Sequence, residues 1–110
     1  MEMTQRMENE TLVVSLAGRL DAVSAPALDK QVPTLMEAAA KRIVLDLARL
    51  EYISSAGLRS VLALAKVAKA KGAILALAGL QDMVKEVFHI SGFDRLLPIH
   101  DSVKTALAGD

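Results

Sequence analysis

The chain has 110 residues, the usual size of one domain, and its 13 basic and 13 acidic side chains cancel to a formal net charge of zero. We therefore interpret residues 1–110 as a single domain, and the lack of a basic excess argues against direct nucleic-acid binding. There is no cysteine, which excludes disulfides and thiolate chemistry. The polar N-terminus and the short apolar runs predict no secretory signal and no membrane insertion, so we expect a soluble, cytoplasmic protein.

The first third of the chain predicts a β-hairpin followed by a helix. Residues 11–17 are rich in β-branched and aliphatic side chains, and a shorter strand over residues 3–7 precedes them across a polar turn. Ser24 is a good N-cap for the next helix, whose first turn tolerates Pro26. Its core-facing side chains recur at helical spacing: Leu28, Val32, Leu35, Met36 and Ala39. Pro33 interrupts this pattern, so we expect a kink or a later helix start.

Farther along, short strands alternate with helices. Two apolar runs, residues 42–47 and 73–78, predict buried strands, and a long helical pattern over residues 56–71 lies between them. This helix is expected to bury five side chains: Leu58, Val61, Leu62, Ala65 and Ala68. Three more elements complete the chain: a short helix over residues 83–88, an edge strand over residues 96–99, where proline is acceptable, and a final helix capped by Asp101 or Ser102.

The predicted order is ββαβαβαβα. Alternating strands and helices with continuously apolar inner strands imply an α/β fold with a mostly parallel sheet flanked by helices. The strands near residues 12–17, 42–47 and 73–78 should be central. Four of their side chains should therefore point away from solvent: Ile43, Leu45, Ile74 and Leu77.

Catalytic chemistry finds little support in the sequence. Ser54 and Ser55 lie between a strand and a helix, but no glycine precedes either serine as a hydrolase elbow requires. Only His89 and His100 could act as a base, and His89 is expected to be an ordinary surface histidine. Metal-ligand spacings and glycine-rich phosphate loops do not occur. We therefore expect a protein that is not an enzyme and needs no metal or cofactor.

The adjacent Ser54 and Ser55 admit two interpretations. In the first, one serine caps the helix and its neighbour binds only water. In the second, the pair contains a modification site, because a helix N-terminus has unpaired donors and a positive potential that tolerate a phosphate. Asp21 and Asp46 lie near predicted strand ends and are most simply turn or capping residues.

Three segments resemble the STAS family, specifically its bacterial anti-sigma factor antagonists. They are Leu45–Leu58, which contains both serines, Gly18–Asp21 and Phe88–Phe93. The segments occur in the family's order and spacing, and the resemblance extends over essentially the whole chain. The resemblance implies a mixed, mostly parallel sheet of four to five strands, with helices packed mainly on one side.

The resemblance also implies a partner switch controlled by phosphorylation. The unphosphorylated antagonist would bind an ATP-dependent serine kinase that is also an anti-sigma factor, and a metal-dependent phosphatase would remove the phosphate that the kinase adds. Alignment on Gly57 puts Ser55 at the phosphorylated position and Ser54, the runner-up site, where the family has an aspartate. The implied partner-binding residues are Asp21, Ser54, Ser55, Ala56, Gly57 and Arg59.

Two other functions remain open at this point. Single STAS domains also resemble small accessory subunits of membrane transport ATPases, in which no serine is phosphorylated, and the aspartate missing at Ser54 slightly favours that role. A weaker alternative is the binding of a small ligand or nucleotide at the loops of Asp21 and Ser55.

Overall fold

The computed structural model describes residues 1–38 and 41–108, which fold into an α/β domain with the predicted order of elements. The strands are β1 (Glu2–Glu8), β2 (Thr11–Leu20), β3 (Arg42–Ile53), β4 (Ile74–Ala78) and β5 (Ile99–His100). The helices are α1 (Ala25–Ala38), α2 (Ser55–Ala70), α3 (Asp82–Ile90) and α4 (Val103–Ala108), with a 3₁₀ turn at Phe93–Arg95. Ala39, expected on the core face of α1, lies outside the described residues.

The five strands form one sheet in the order β1-β2-β3-β4-β5. β1 runs antiparallel to β2, and every other neighbouring pair is parallel. The expectation of a mixed, mostly parallel sheet with β2, β3 and β4 at its centre is therefore confirmed. These three strands are central because side chains on both of their faces are apolar and can be buried by helices.

The two faces of the sheet are covered unequally. The front face, which carries Leu12, Val14 and Leu16 of β2, forms the large core together with α1, α2 and α3. The back face carries a small apolar cluster, in which Val13, Val44 and Ala78 of the sheet pack against Ala106 of α4. Helices thus pack mainly on one side, as expected. Within the described ranges, the helices are too short or too polar to cross a bilayer.

A two-residue turn joins β1 to β2. Asn9 and Glu10 both have positive φ, 48° and 68°, as the turn that best matches the twist of a hairpin requires. Glu8 faces Thr11 across the turn, and the pairing continues without a shift to Glu2 opposite Ala17. The hairpin predicted from the sequence is therefore confirmed.

The prediction that Ile74 points away from solvent is wrong. Ile43, Leu45 and Leu77 are fully buried, but Ile74 is 57% exposed. It is the first residue of β4, and the short β5 pairs only with Leu77 and Ala78 farther along the strand. Its side chain points to the back face, as that of Ala78 does, and is not part of the small cluster packed there under α4. The strand predicted over residues 96–99 is displaced, since β5 begins only after Pro98.

The core face of α2 differs slightly from the predicted one. Leu64 is fully buried, whereas Leu62 and Ala65 are only partly buried. Leu64 is three residues after Val61 and four before Ala68, so it lies on the centre line of the buried face. Val67, a large apolar side chain in the C-terminal half of α2, remains 36% exposed.

α1 runs without interruption from Ala25 through Pro33, so the proline does not delay the helix start. An interior proline removes one backbone hydrogen bond, here to the carbonyl of Asp29, at a cost of roughly 3 kcal/mol. It recovers about 1 kcal/mol by restricting the unfolded chain. Pro33 is exposed, so its replacement disturbs no core packing.

Pro33→Ala is therefore expected to stabilise the domain by about 2 kcal/mol, the difference between these two contributions. Urea denaturation followed by circular dichroism measures the free energy of unfolding. Thr34→Ala at the next exposed position is the control and should change stability by a few tenths of a kcal/mol. A destabilised Pro33→Ala variant would show that the proline fits a strained segment of α1.

Candidate functional site

Ser54 is the N-cap of α2. Its backbone is extended, with φ −97° and ψ 176°, and its hydroxyl oxygen accepts a hydrogen bond from the backbone N–H of Gly57 at 3.2 Å. Its carbonyl accepts the N–H of Leu58 at 2.9 Å and so begins the helical pattern. Ser55 is the first helical residue, and it is exposed. The two serines therefore have different positions: the first closes the helix end and the second faces solvent.

The start of α2 is attached to the end of β2. The backbone N–H of Ser54 donates to the carbonyl of Leu20 at 2.9 Å. The register of the two parallel strands places Leu20 opposite Ile53, so the residues that follow, Asp21 and Ser54, leave the sheet together. Asp21 and the serine pair thus lie at the same end of the sheet, as the sequence resemblance implies.

Asp21 organises the loop between β2 and α1. Its Oδ1 accepts the backbone N–H groups of Val23 and Ser24 at 3.0 and 3.1 Å. The hydrogen bond from Ser24 holds the pKa of Asp21 below its usual value, and that from Val23 and the charge of Arg19 act in the same direction against partial desolvation. A lowered pKa means that the ionised carboxylate stabilises the folded loop above the pKa of the unfolded chain. This contribution is lost as the pH falls through the folded-state value.

Ser24 lies directly before α1, as predicted, but its side chain does not cap that helix. Its hydroxyl accepts the N–H of Asp21 at 3.0 Å and donates to the carbonyl of Arg19 at 2.8 Å. Ser24 contributes to the first turn of α1 through its backbone instead: its carbonyl accepts the N–H of Ala27 at 2.9 Å. The sequence correctly placed Ser24 before α1, but it did not predict that the hydroxyl would bond to Arg19 and Asp21 of the preceding loop instead of to the helix.

Arg19 and Tyr52 were not identified from the sequence. The guanidinium carbon of Arg19 lies 4.1 Å from the centre of the Tyr52 ring, a cation–π contact, and its Nε lies 3.8 Å from Oδ2 of Asp21. The two residues are opposite each other on β2 and β3. Only the register of these parallel strands brings them together, so no local pattern could have revealed the pair.

Gly57 contributes to the site through its lack of a side chain. It is buried, and a Cβ added there would lie 2.6 Å from the carbonyl oxygen of Leu20 and 2.9 Å from Cγ1 of Ile53. The first turn of α2 therefore packs directly on the end of β2. Of the predicted partner-binding residues, Gly57 can act only by shaping this turn.

A shallow groove separates the first turns of α1 and α2. We call it the α1–α2 groove; its volume is about 410 Å³, and most of its lining residues are small. It is lined by Ala22, Ala25, Pro26, Asp29, Ala56, Arg59, Ser60 and Ala63. Two predicted binding residues, Ala56 and Arg59, thus line a single surface, next in sequence to the exposed Ser55. The contribution of α1 to this surface was missed, because its spatial position could not be read from its own sequence.

The other polar residues considered in the sequence lie elsewhere. Asp46 is not at a strand end as expected: it lies inside β3, beside a register shift with β2, where it accepts the Ser15 hydroxyl at 3.2 Å and the N–H of Ala48 at 3.1 Å. His89 is exposed on α3, with Nδ1 2.7 Å from Asp94 Oδ2. Within residues 1–38 and 41–108, neither histidine is hydrogen-bonded to Ser54 or Ser55, and no group of three His, Cys, Asp or Glu side chains could hold a metal ion.

Comparison with known proteins identifies the family. A family model described as "Mlab, STAS domain" matches residues 3–98. The chain belongs to the STAS domain family. The protein BtrV of Bordetella bronchiseptica is 38% identical over 108 residues, which cover 98% of this chain and 93% of BtrV. The anti-sigma-B factor antagonist of Bacillus subtilis is 33% identical over 93 residues, 84% of this chain and 83% of that protein.

Solved structures of other STAS proteins share the fold. An anti-sigma factor antagonist from Mycobacterium paratuberculosis superimposes with a TM-score of 0.88 at 22% identity, over 97% of this chain and 91% of that one. A STAS domain protein from Planctomyces limnophilus gives a TM-score of 0.87 at 19% identity, over 96% and 95% of the two chains. The resemblance to anti-sigma factor antagonists noted in the sequence is thus confirmed.

Gly57→Ala is expected to destabilise the domain by about 3 kcal/mol or more, because the new methyl group would overlap the Leu20 carbonyl and force α2 away from β2. The free energy of unfolding in urea measures this loss. Gly72→Ala is the control: its methyl group would meet open space, so it should lose only the roughly 1–2 kcal/mol that a left-handed backbone, here with φ 81°, costs a residue with a Cβ. Equal losses in the two variants would contradict the proposed close contact.

Proposed function

We propose that this STAS protein is an anti-sigma factor antagonist whose partner binding is switched off by phosphorylation of Ser55. The observation that carries the proposal is the division of roles at the start of α2, where Ser54 caps the helix and Ser55 is exposed. Relatives named anti-sigma factor antagonists support the general function. On this proposal the protein acts by binding and does no chemistry itself.

Accessibility favours Ser55 over Ser54 as the phosphate acceptor. The Ser54 side chain is partly buried, and its oxygen is held by the N–H of Gly57. A kinase that modified Ser54 would have to remove the cap, which contributes about 1 kcal/mol to the stability of the helix. Ser55 can be modified without the loss of any hydrogen bond that forms the helix.

The first turn of α2 is electrostatically favourable for a phosphate. It contains no acidic residue, and the helix dipole favours negative charge at this end of the helix. Arg59 is four residues after Ser55 and exposed, so its guanidinium is on the same side of the helix and within reach of a phosphate. The added charge of about −1.5 to −2 should therefore leave the fold nearly unchanged.

The same phosphate would oppose a partner bound at the α1–α2 groove. Ala56, which lines the groove, follows Ser55 directly, so the phosphate would stand at the rim of a contact that excludes water. A partner that binds Arg59 would take this cation from the phosphate, and a charge left unpaired in a buried contact costs about 3–5 kcal/mol. The proposed partners are an ATP-binding serine kinase that is also the anti-sigma factor and, for reversal, a metal-dependent serine phosphatase.

A different role is favoured by one feature, the serine at position 54 in place of the family's aspartate. It would suit a STAS accessory subunit of a membrane transport ATPase that is never phosphorylated. Purification of the protein with its bound partners from its native cells separates the two. A small ATP-binding kinase supports the switch, and a transporter ATPase supports the accessory role.

Phosphorylation by the cognate kinase and ATP should disappear in Ser55→Ala and persist in Ser54→Ala, as measured by the mass of the intact protein. Ser54→Ala should also lose about 1 kcal/mol of stability, because the helix cap is removed. Ser102→Ala is the matched control, since Ser102 caps α4 through the N–H of Thr105 at 3.1 Å. It should keep the phosphate. The opposite result for the two adjacent serines would move the site to Ser54.

A further inference from the structure

β1 is a sheet edge with few of the features that normally prevent association. It is seven residues long and pairs with β2 in continuous register, while its other side ends the sheet. Natural edge strands are commonly interrupted by proline, lysine or a bulge, or are very short. Three of its seven residues, Glu2, Arg6 and Glu8, are charged, but β1 contains neither proline nor lysine, and its pairing with β2 shows no bulge. The opposite edge differs, since β5 has two residues and follows directly after Pro98.

The hairpin turn determines which backbone groups of β1 face outward. In a two-residue turn, the closing pair, here Glu8 and Thr11, is hydrogen-bonded. Hydrogen-bonded and non-hydrogen-bonded pairs then alternate along an antiparallel ladder. The N–H and C=O groups of Met7, Gln5 and Met3 therefore point away from β2, toward the open edge.

We propose that this edge pairs with the same edge of a second copy of the chain. The two β1 strands would run antiparallel about a twofold axis at Thr4, so that Gln5 of one copy hydrogen-bonds with Met3 of the other. The result is one continuous sheet through both copies, joined by a self-complementary interface.

Charge complementarity selects this register. Glu2, Thr4 and Arg6 share the back face of β1, and in this register Glu2 lies directly opposite Arg6 of the second copy, twice by symmetry. Moving the axis to Gln5 would place Glu2 opposite Glu8, two like charges. Moving it to Met3 would leave Arg6 with no acidic residue opposite. Arg6 already bonds Glu8 of its own strand at 3.3 Å, so its guanidinium is directed along this face.

The apolar side chains of the edge agree with the same register. Met1 and Met7 are 37% and 49% exposed, two of the eight large apolar side chains that the described residues leave in solvent. With the axis at Thr4, Met1 of one copy lies opposite Met7 of the other, on the front face. The register therefore covers both exposed methionines and pairs both charges. Because the contact is short, the dimer should be weak and form only at high protein concentration.

The edge is separate from the site at Ser55. β2 lies between β1 and β3, and Ser54 follows the end of β3. The proposed dimer and the proposed phosphorylation switch can therefore be tested independently of each other. It requires no residue of the α1–α2 groove.

Sedimentation velocity of the unphosphorylated protein from micromolar to millimolar concentrations tests the dimer. We expect a reversible shift from the monomer mass of 11.7 kDa toward twice that value. Gln5→Pro should abolish the shift, because it removes an outward N–H without affecting the ladder to β2. Gln5→Val, which keeps that N–H, should still dimerise. A monomer at every concentration, or a dimer unaffected by Gln5→Pro, would overturn the proposal.

A charge exchange tests the register. Glu2→Arg and Arg6→Glu should each raise the dissociation constant by about tenfold or more, because two symmetry-related pairs become repulsive. The double variant should recover most of the affinity. Glu86→Arg, an equal charge change on exposed α3, should have no effect, and circular dichroism confirms that each variant is folded. Failure of the double variant to recover would show that Glu2 and Arg6 do not face each other.

Discussion

The carbonyl of Leu20 fixes the start of α2 and, through it, the whole candidate site. It accepts the backbone N–H of Ser54 at 2.9 Å, and Gly57 packs so tightly on it that no side chain could be added. One backbone oxygen thus determines where β3 ends and the helix begins. Because these two backbone contacts hold the start of α2, a charge added to its surface should not move the helix.

This constraint explains why two adjacent serines differ. Ser54 is committed to the junction by its backbone N–H, its carbonyl and its hydroxyl. Ser55 is one residue beyond the junction and faces solvent. The loop that follows Leu20 is ordered by separate hydrogen bonds, which the N–H groups of Val23 and Ser24 donate to the Asp21 carboxylate. The site therefore combines a rigid base with one exposed hydroxyl, an arrangement that suits control by an added charge.

The sequence predicted those features that depend on local chemistry. Apolar runs identified β2, β3 and β4, and the serine pair located the start of α2. The failures involve distant segments: Ile74 is exposed because the small back-face cluster under α4 does not include it, and Ser24 binds Arg19 and Asp21 instead of its own helix. The α1–α2 groove was missed for the same reason. A residue pattern shows which face of a helix is apolar, but not which helix lies beside it.

The central claim is that phosphorylation of Ser55 changes binding and leaves the fold intact. It is tested most directly by the affinity for the anti-sigma factor and the melting temperature, each measured with and without phosphate at Ser55. A buried unpaired charge costing about 3–5 kcal/mol predicts an affinity lower by about a hundredfold to several thousandfold. The small effect of a phosphate at a helix N-terminus predicts a melting temperature within about 5 °C of the unmodified protein. Unchanged affinity, or a phosphorylated domain that melts far earlier, would contradict the account.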